Sequence, residues 1–249
     1  LSILSANILL VPDNYPTIQL AVNNASNNDT ILVDQGIYVE NIMINDKSIS
    51  VISLNGPSST IIDGNNNSSV VNVDSENYNI LIKGFTIRNG IGELLDGSSR
   101  YGGGIISHNT PLTLDSLIIE NNESFAGGGI CFYEMESSQT HSIVRNSMVQ
   151  NNVASEGGGI FVINQSLSVI NSTIEGNGMT PYGSGGGIQA LVANISIVDV
   201  HIINNHSRFG GGIYIGSTQA DIENSIISNN LSDSKGGGIW VGSRSQLGI

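Results

Sequence analysis

Six copies of Gly-Gly-Gly-Ile recur along the chain, at Gly102–Ile105, Gly127–Ile130, Gly157–Ile160, Gly185–Ile188, Gly210–Ile213 and Gly236–Ile239, spaced 25, 30, 28, 25 and 26 residues apart. A self-similar period of this size marks a stacked repeat architecture, because one unit cannot bury its own apolar face. Ahead of five copies stands an aliphatic residue three before an asparagine: Ile119/Asn122, Val149/Asn152, Ile174/Asn177, Ile202/Asn205 and Ile227/Asn230. A third short β-branched run lies between the motifs, as in Leu112–Leu114, Leu167–Ile170 and Ile195–Val198, followed by a small polar bend such as Asp115-Ser116, Asn146-Ser147 or Asn171-Ser172. Three short strands and three bends per unit predict an all-β fold, a right-handed single-stranded parallel β-helix, with each strand paired to its copy ~4.8 Å along the axis.

Alternation along a strand then assigns the faces. After each triplet the inward pair is Ile105/Ser107, Ile130/Phe132, Ile160/Val162, Ile188/Ala190, Ile213/Ile215 or Ile239/Val241. The repeated asparagines are expected to stack in register and hydrogen-bond from coil to coil, which keeps buried amides satisfied. The glycines supply tight corners. A single glycine-rich run could be read as a phosphate loop, but six copies at coil spacing, none followed by Lys-Ser/Thr, read as corners.

The N-terminal part is less regular. Tyr15 to Val22 reads as a short amphipathic helix with proline in its first turn, placed to cap the open end of the solenoid. The whole of 1–249 reads as one β-helix domain: 1–29 lead and cap, 30–83 irregular early coils, 84–249 regular repeats. The early strands are Ile8–Val11, Thr30–Val33, Ile42–Ile44, Ile49–Leu54, Thr60–Ile62, Val70–Val73 and Ile80–Ile82. The last coil reaches Ile249 without a polar capping unit, which predicts that the natural polypeptide continues.

Charge and composition narrow the partners. Eight Lys+Arg against 21 Asp+Glu give a net charge of −13, which argues against nucleic acid and against an anionic membrane surface. No apolar run approaches the ~20 residues of a membrane-spanning helix, so this segment is not expected to insert in a bilayer. One cysteine, Cys131, excludes an intramolecular disulfide. Leu1 to Ala6 reads as the end of an export signal, so the expected location is extracellular or the cell surface, in a bacterial host. The ten Asn-x-Ser/Thr sequons follow from so Asn- and Ser-rich a composition.

The alternation of aliphatic-x-x-Asn with Gly-Gly-Gly-Ile over residues 84–249 resembles the repeats of the polymorphic outer membrane proteins, with their Phe-x-x-Asn and Gly-Gly-Ala-Ile/Leu/Val motifs. Ile or Val here stands for Phe, and Gly for Ala. The resemblance implies a surface-displayed β-helix with an adhesin role. The opening, Tyr15 to Gln19 and Gly36 to Asn41, resembles the start of pectinesterases and other pectate-lyase-like β-helix proteins. It implies the first coils of that fold and carries no chemistry, and the pectinesterase stretch Gly-x-x-Asp-Phe-x-x-Gly does not occur.

A hydrolase on this fold would place two carboxylates within ~5–10 Å. Glu120 and Glu175 share a register, but Gln150 intervenes. A uronate lyase would need a strong base, with Ca²⁺ neutralising the substrate. The one local basic group is Arg208, Lys235 and His206, in the bends before adjacent triplets, with Asp233 and Glu156 on the same edge; variable bends also carry such residues simply because they face water. The four histidines suggest no transition-metal site. The outward positions after each triplet are more distinctive: Ile106, Cys131, Phe161, Gln189, Tyr214 and Trp240, with Tyr133 two positions further in its coil. Phe161, Tyr214, Trp240 and Tyr133 on an outer sheet face read either as a binding surface for a polysaccharide or a cell-surface protein, or as a face covered by a loop (Ile91–Arg100 or Glu134–Thr140) or by further chain. The functional expectation is an extracellular, non-enzymatic scaffold or adhesin without a cofactor. A polysaccharide lyase and a pure spacer remain the alternatives.

Overall fold

The computed structural model describes residues 6–75, 78–95, 97–134, 140–178 and 183–249. The export-signal reading at 1–5 and most of the 134–140 loop lie outside them.

Three long parallel sheets run the length of the chain. One has ten strands, beginning with Ile8–Val11, Thr30–Val33 and Ser50–Ser53 and ending with Gln219–Glu223 and Gln246–Gly248. The other two have eight strands each. One starts at Gly36–Val39; the other starts at Ile42–Asn45 and carries every strand that follows a glycine triplet. Every neighbour within these sheets comes from an adjacent coil and pairs parallel, so the architecture is the right-handed parallel β-helix. The sheets cross residue 84 without a break: Ile42 pairs with Val71, and Val71 with Ile105. The strand Gly36–Val39 was not expected from the residues; it pairs in register with Thr60–Asp63.

The core is a set of aliphatic stacks. Ile105, Ile130, Ile160, Ile188 and Ile213 occupy one pairing row and are fully buried. Phe132 follows Ser107 in the next row, so a large ring sits beside a small side chain, and Ser107 satisfies its hydroxyl by donating to the Thr110 carbonyl at 2.9 Å. Val241, expected inward, is 41% exposed, because no described strand packs beyond it on its sheet.

Inside the corners, the asparagine side chains connect the coils. Nδ2 of Asn122, Asn152, Asn177 and Asn205 each donates at 3.0 Å to Oδ1 of the asparagine one coil on. That same Oδ1 also accepts the backbone N–H of the preceding asparagine, at 2.9–3.1 Å. The second Nδ2 hydrogen reaches back to a strand carbonyl, for example Asn177 to Val149 at 2.8 Å. The residue just before each inward asparagine has a left-handed backbone: Asn121, Asn151, Gly176, Asn204 and Asn229 have φ between 54° and 63°. Asparagine and glycine tolerate that region best, which explains the Asn-Asn pairs. The first asparagine makes the turn and the second joins the row.

The helix Ile18–Asn24 packs Ile18, Ala21 and Val22 on the first coils. Its cap is Thr17, whose Oγ1 accepts the Leu20 N–H at 3.1 Å. Pro16 therefore precedes the helix instead of sitting in its first turn. The Glu40 carboxylate accepts the N–H groups of Ile18 and Gln19 at 3.0 and 2.9 Å, and Lys47 Nζ donates to the carbonyls of Val22 and Ala25 at 2.9 and 3.1 Å. Negative charge at the amino end and positive charge at the carboxyl end both complement the helix dipole.

Candidate functional site: an outer groove ahead of and behind the glycine corners

Each triplet begins with a glycine of left-handed backbone, such as Gly127 with φ 66°. A Cβ on the third glycine of that triplet, Gly129, would lie 2.6 Å from the Gly159 carbonyl oxygen in the next coil and 3.0 Å from Asn152 Nδ2. The corner is thus built for glycine, and it folds the residue ahead of the triplet over the outer face of the strand behind it. The leading row is Tyr101, Ala126, Glu156, Ser184, Phe209 and Lys235, paired coil to coil. The trailing row is Ile106, Cys131, Phe161, Gln189, Tyr214 and Trp240. The two rows face each other across the corner, with Ala126 packed in the Ile106, Cys131 and Phe161 cluster and Phe209 stacked on Trp240, and the angle between them is a shallow outer groove.

The groove changes character along its length. At its N-terminal end the rows close into a second apolar core of Ile106, Ala126, Cys131 and Phe161, with Tyr101, Tyr133, Ile163 and Leu191 against it. Tyr101 and Tyr133 stand 5.6 Å apart between ring centroids. Phe161, for which the sequence allows either an open or a covered face, is only 6% exposed, because it belongs to this second core. Burial also raises the Cys131 thiol well above its ordinary pKa, so it sits there as a small apolar group.

At the C-terminal end the groove is half open. Trp240 stacks on Phe209 at 4.8 Å and meets Tyr214 edge-on at 4.8 Å. The Arg208 guanidinium lies 5.1 Å above the Phe209 ring. Nothing in the sequence marks Phe209, because the positions ahead of the triplets read as solvated bends.

The basic residues do not converge on one point. His206 Nε2 is 2.9 Å from Asp233 Oδ1, Arg208 lies over Phe209, and Lys235 is exposed at the far end of the leading row. Glu120 and Glu175 flank Gln150 in register, and each is already hydrogen-bonded, to Gln150 Nε2 at 2.7 Å and to Asn204 Nδ2 at 3.0 Å. Among the described residues no group of three or more His, Cys, Asp or Glu side chains is placed to hold a metal ion, and no helix is long and apolar enough to cross a membrane.

A second groove, of about 440 Å³, follows another corner, with Ile118, Met148, Thr173 and His201 from successive strands as its floor and Asn146, Asn171 and Asp199 along its wall. Two of its asparagines are engaged with their neighbours: Asn171 donates to Asn146 at 2.8 Å, and Asn146 to Asp115 at 2.9 Å. It lacks the aromatic rings of the first groove, which is therefore the better candidate site.

Fold and site define a parallel β-helix with a one-sided aromatic groove. Within it, residues 224–242 match the Chlamydia polymorphic membrane protein (Chlamydia_PMP) repeat. That stretch is most of one coil, from the Asn224-Ser225 bend through Asn230 and the last glycine triplet to Gly242. No curated protein matches the chain at significant sequence similarity. Among solved structures, Escherichia coli YbhC superposes with a TM-score of 0.52 at 10% identity, over 99% of this chain and 86% of that one. The pectin methylesterase from carrot superposes with a TM-score of 0.50 at 13% identity, over 97% and 89%. At such identities the likeness concerns the fold.

Proposed function

We propose that this chain is a bacterial surface scaffold of the adhesin type, which binds a polysaccharide or a cell-surface protein through the open end of its outer groove and catalyses no reaction. The observation that carries the reading is the half-open trio of Phe209, Tyr214 and Trp240. Three aromatic rings on an outer face, with Trp240 in contact with both Phe209 and Tyr214, give a rigid apolar anchor at low entropic cost. The match of residues 224–242 to a polymorphic membrane protein repeat supports display on a bacterial surface. The even stacking of the coils supports a role as a stiff, elongated presenter of that groove.

The competing reading is a uronate lyase, with Arg208, Lys235 and His206 as the bases and Ca²⁺ as the substrate's counter-ion. Against it stand the separate engagements of Arg208 and His206, and a net charge of −13 that repels polyuronates. The purified protein, incubated with pectate, methyl-esterified pectin, alginate and neutral glycans, with and without Ca²⁺, is expected to release neither unsaturated uronates nor new reducing ends. Product that disappears in Arg208→Ala would establish the lyase instead.

A further inference from the structure

Between its apolar and aromatic ends the groove has a polar centre. On the trailing row Gln189 stands one coil after Phe161 and one coil before Tyr214. On the leading row Glu156 stands between Ala126 and Ser184. Gln189 is 4% exposed, and its Oε1 has no hydrogen-bond partner. Its side chain does hydrogen-bond to Glu156. A buried amide oxygen without a donor costs stability, and native folds rarely leave one without reason. The inward asparagines of the same coils show the contrast, since each is joined to its neighbours on both sides. Glu156 is the only carboxyl group on either row, and its neighbours Ala126, Ser184, Phe161 and Gln189 are uncharged. Burial pushes its carboxyl above the ordinary range, against the hydrogen bond from Gln189.

We propose that Glu156 and Gln189 form the polar centre of a subsite for a neutral sugar ring, whose hydroxyl groups hydrogen-bond to the carboxylate and, once the Gln189 side chain turns out of its buried position, to the amide oxygen, while Tyr214 takes the apolar face of the ring. This rests on the outer groove being a binding surface and adds the chemistry of its ligand. An amide and a carboxylate beside an aromatic ring match a molecule that has hydroxyls at its edge and C–H groups on its face. The carboxylate selects against uronates, and Lys235, the one cation on either row, lies three coils from Glu156.

Trp240 is the only tryptophan and touches Tyr214, so its emission reports on the groove. The full chain is titrated at neutral pH with cellohexaose, xylohexaose, mannohexaose and polygalacturonate. The expected result is a saturable emission change with at least one neutral hexasaccharide and none with polygalacturonate, and a loss of about tenfold or more in affinity in Gln189→Leu and in Glu156→Ala. Glu156→Gln guards against a folding artefact. The folded-state pKa of Glu156 is raised, so its burial costs stability above that pKa and costs nothing below the unfolded value of ~4.3. Glu156→Gln should therefore melt higher than the parent at pH 7 and equal to it near pH 4. Unchanged sugar affinity in Gln189→Leu and Glu156→Ala, with affinity lost in Tyr214→Ser, would overturn the subsite and leave the aromatic binding face standing. A response to polygalacturonate alone, or none to any neutral glycan while the protein still binds cells, would overturn the neutral-sugar assignment and not the adhesin reading.

Discussion

Asn177→Leu is expected to destabilise the fold by about 3–6 kcal/mol, measured by chemical denaturation. The substitution keeps the number and branching of the side-chain heavy atoms but removes the amide. Asn152 then loses the acceptor for both its backbone N–H and its Nδ2, at 3.0 Å each, and the Val149 carbonyl loses a donor at 2.8 Å. Each buried group left in this way costs ~1–3 kcal/mol. Because coils couple only to their neighbours, the loss is confined to the two interfaces of one coil in the middle of the stack. The denaturation curve should then broaden or split, one half of the solenoid unfolding before the other. An unchanged transition would show that the asparagine row adds nothing to the stability of the corner.

Gly129→Ala should cost about 1–3 kcal/mol or more, at the overpacking end of core substitutions. Its Cβ would meet the Gly159 carbonyl oxygen at 2.6 Å and Val149 Cγ1 at 2.9 Å. The first of these is backbone and cannot rotate away, so the coils must separate locally. The entropy that alanine removes from the unfolded chain returns only ~0.4–1 kcal/mol. The related repeat motif carries alanine at this third position, so the substitution also shows whether these corners pack more tightly than that motif allows. A melting temperature equal to the parent's would mean that the corner opens freely.

The solenoid was legible because its two signals are periodic. Gly-Gly-Gly-Ile and aliphatic-x-x-Asn recur at coil spacing, so the pairing of Ile105 with Ile130 and of Tyr214 with Trp240 follows from alignment alone. The groove was only half legible. Its trailing row is a fixed offset from the triplets and could be read directly. Its leading row (Tyr101, Ala126, Glu156, Ser184, Phe209 and Lys235) has no common chemistry, and nothing periodic marks it as a wall. What places it is the left-handed first glycine, a backbone property that the letters state only as permission. The same gap explains Phe161, which points outward by alternation but belongs to a cluster with Ala126 and Tyr101 of the leading row, across the corner. The strand Gly36–Val39 was missed because its outward residues Ile37 and Val39 are apolar and exposed, at 61% and 62%, which removes the alternation of apolar and polar residues that marks a half-buried strand.

The central claim is that this β-helix binds through the open aromatic end of its groove, and the most direct measurement is retention of the purified protein on glycan-bearing cell surfaces, compared with a Tyr214→Ser/Trp240→Ser double variant whose melting curve is recorded in parallel. These rings are half-buried and lie outside the inner core, so the double variant should keep most of its stability and lose binding by at least about tenfold, as expected when aromatic anchors are truncated. Undiminished binding by a folded double variant would contradict the claim, and a collapse of the fold would show instead that the aromatic trio is part of the structural core.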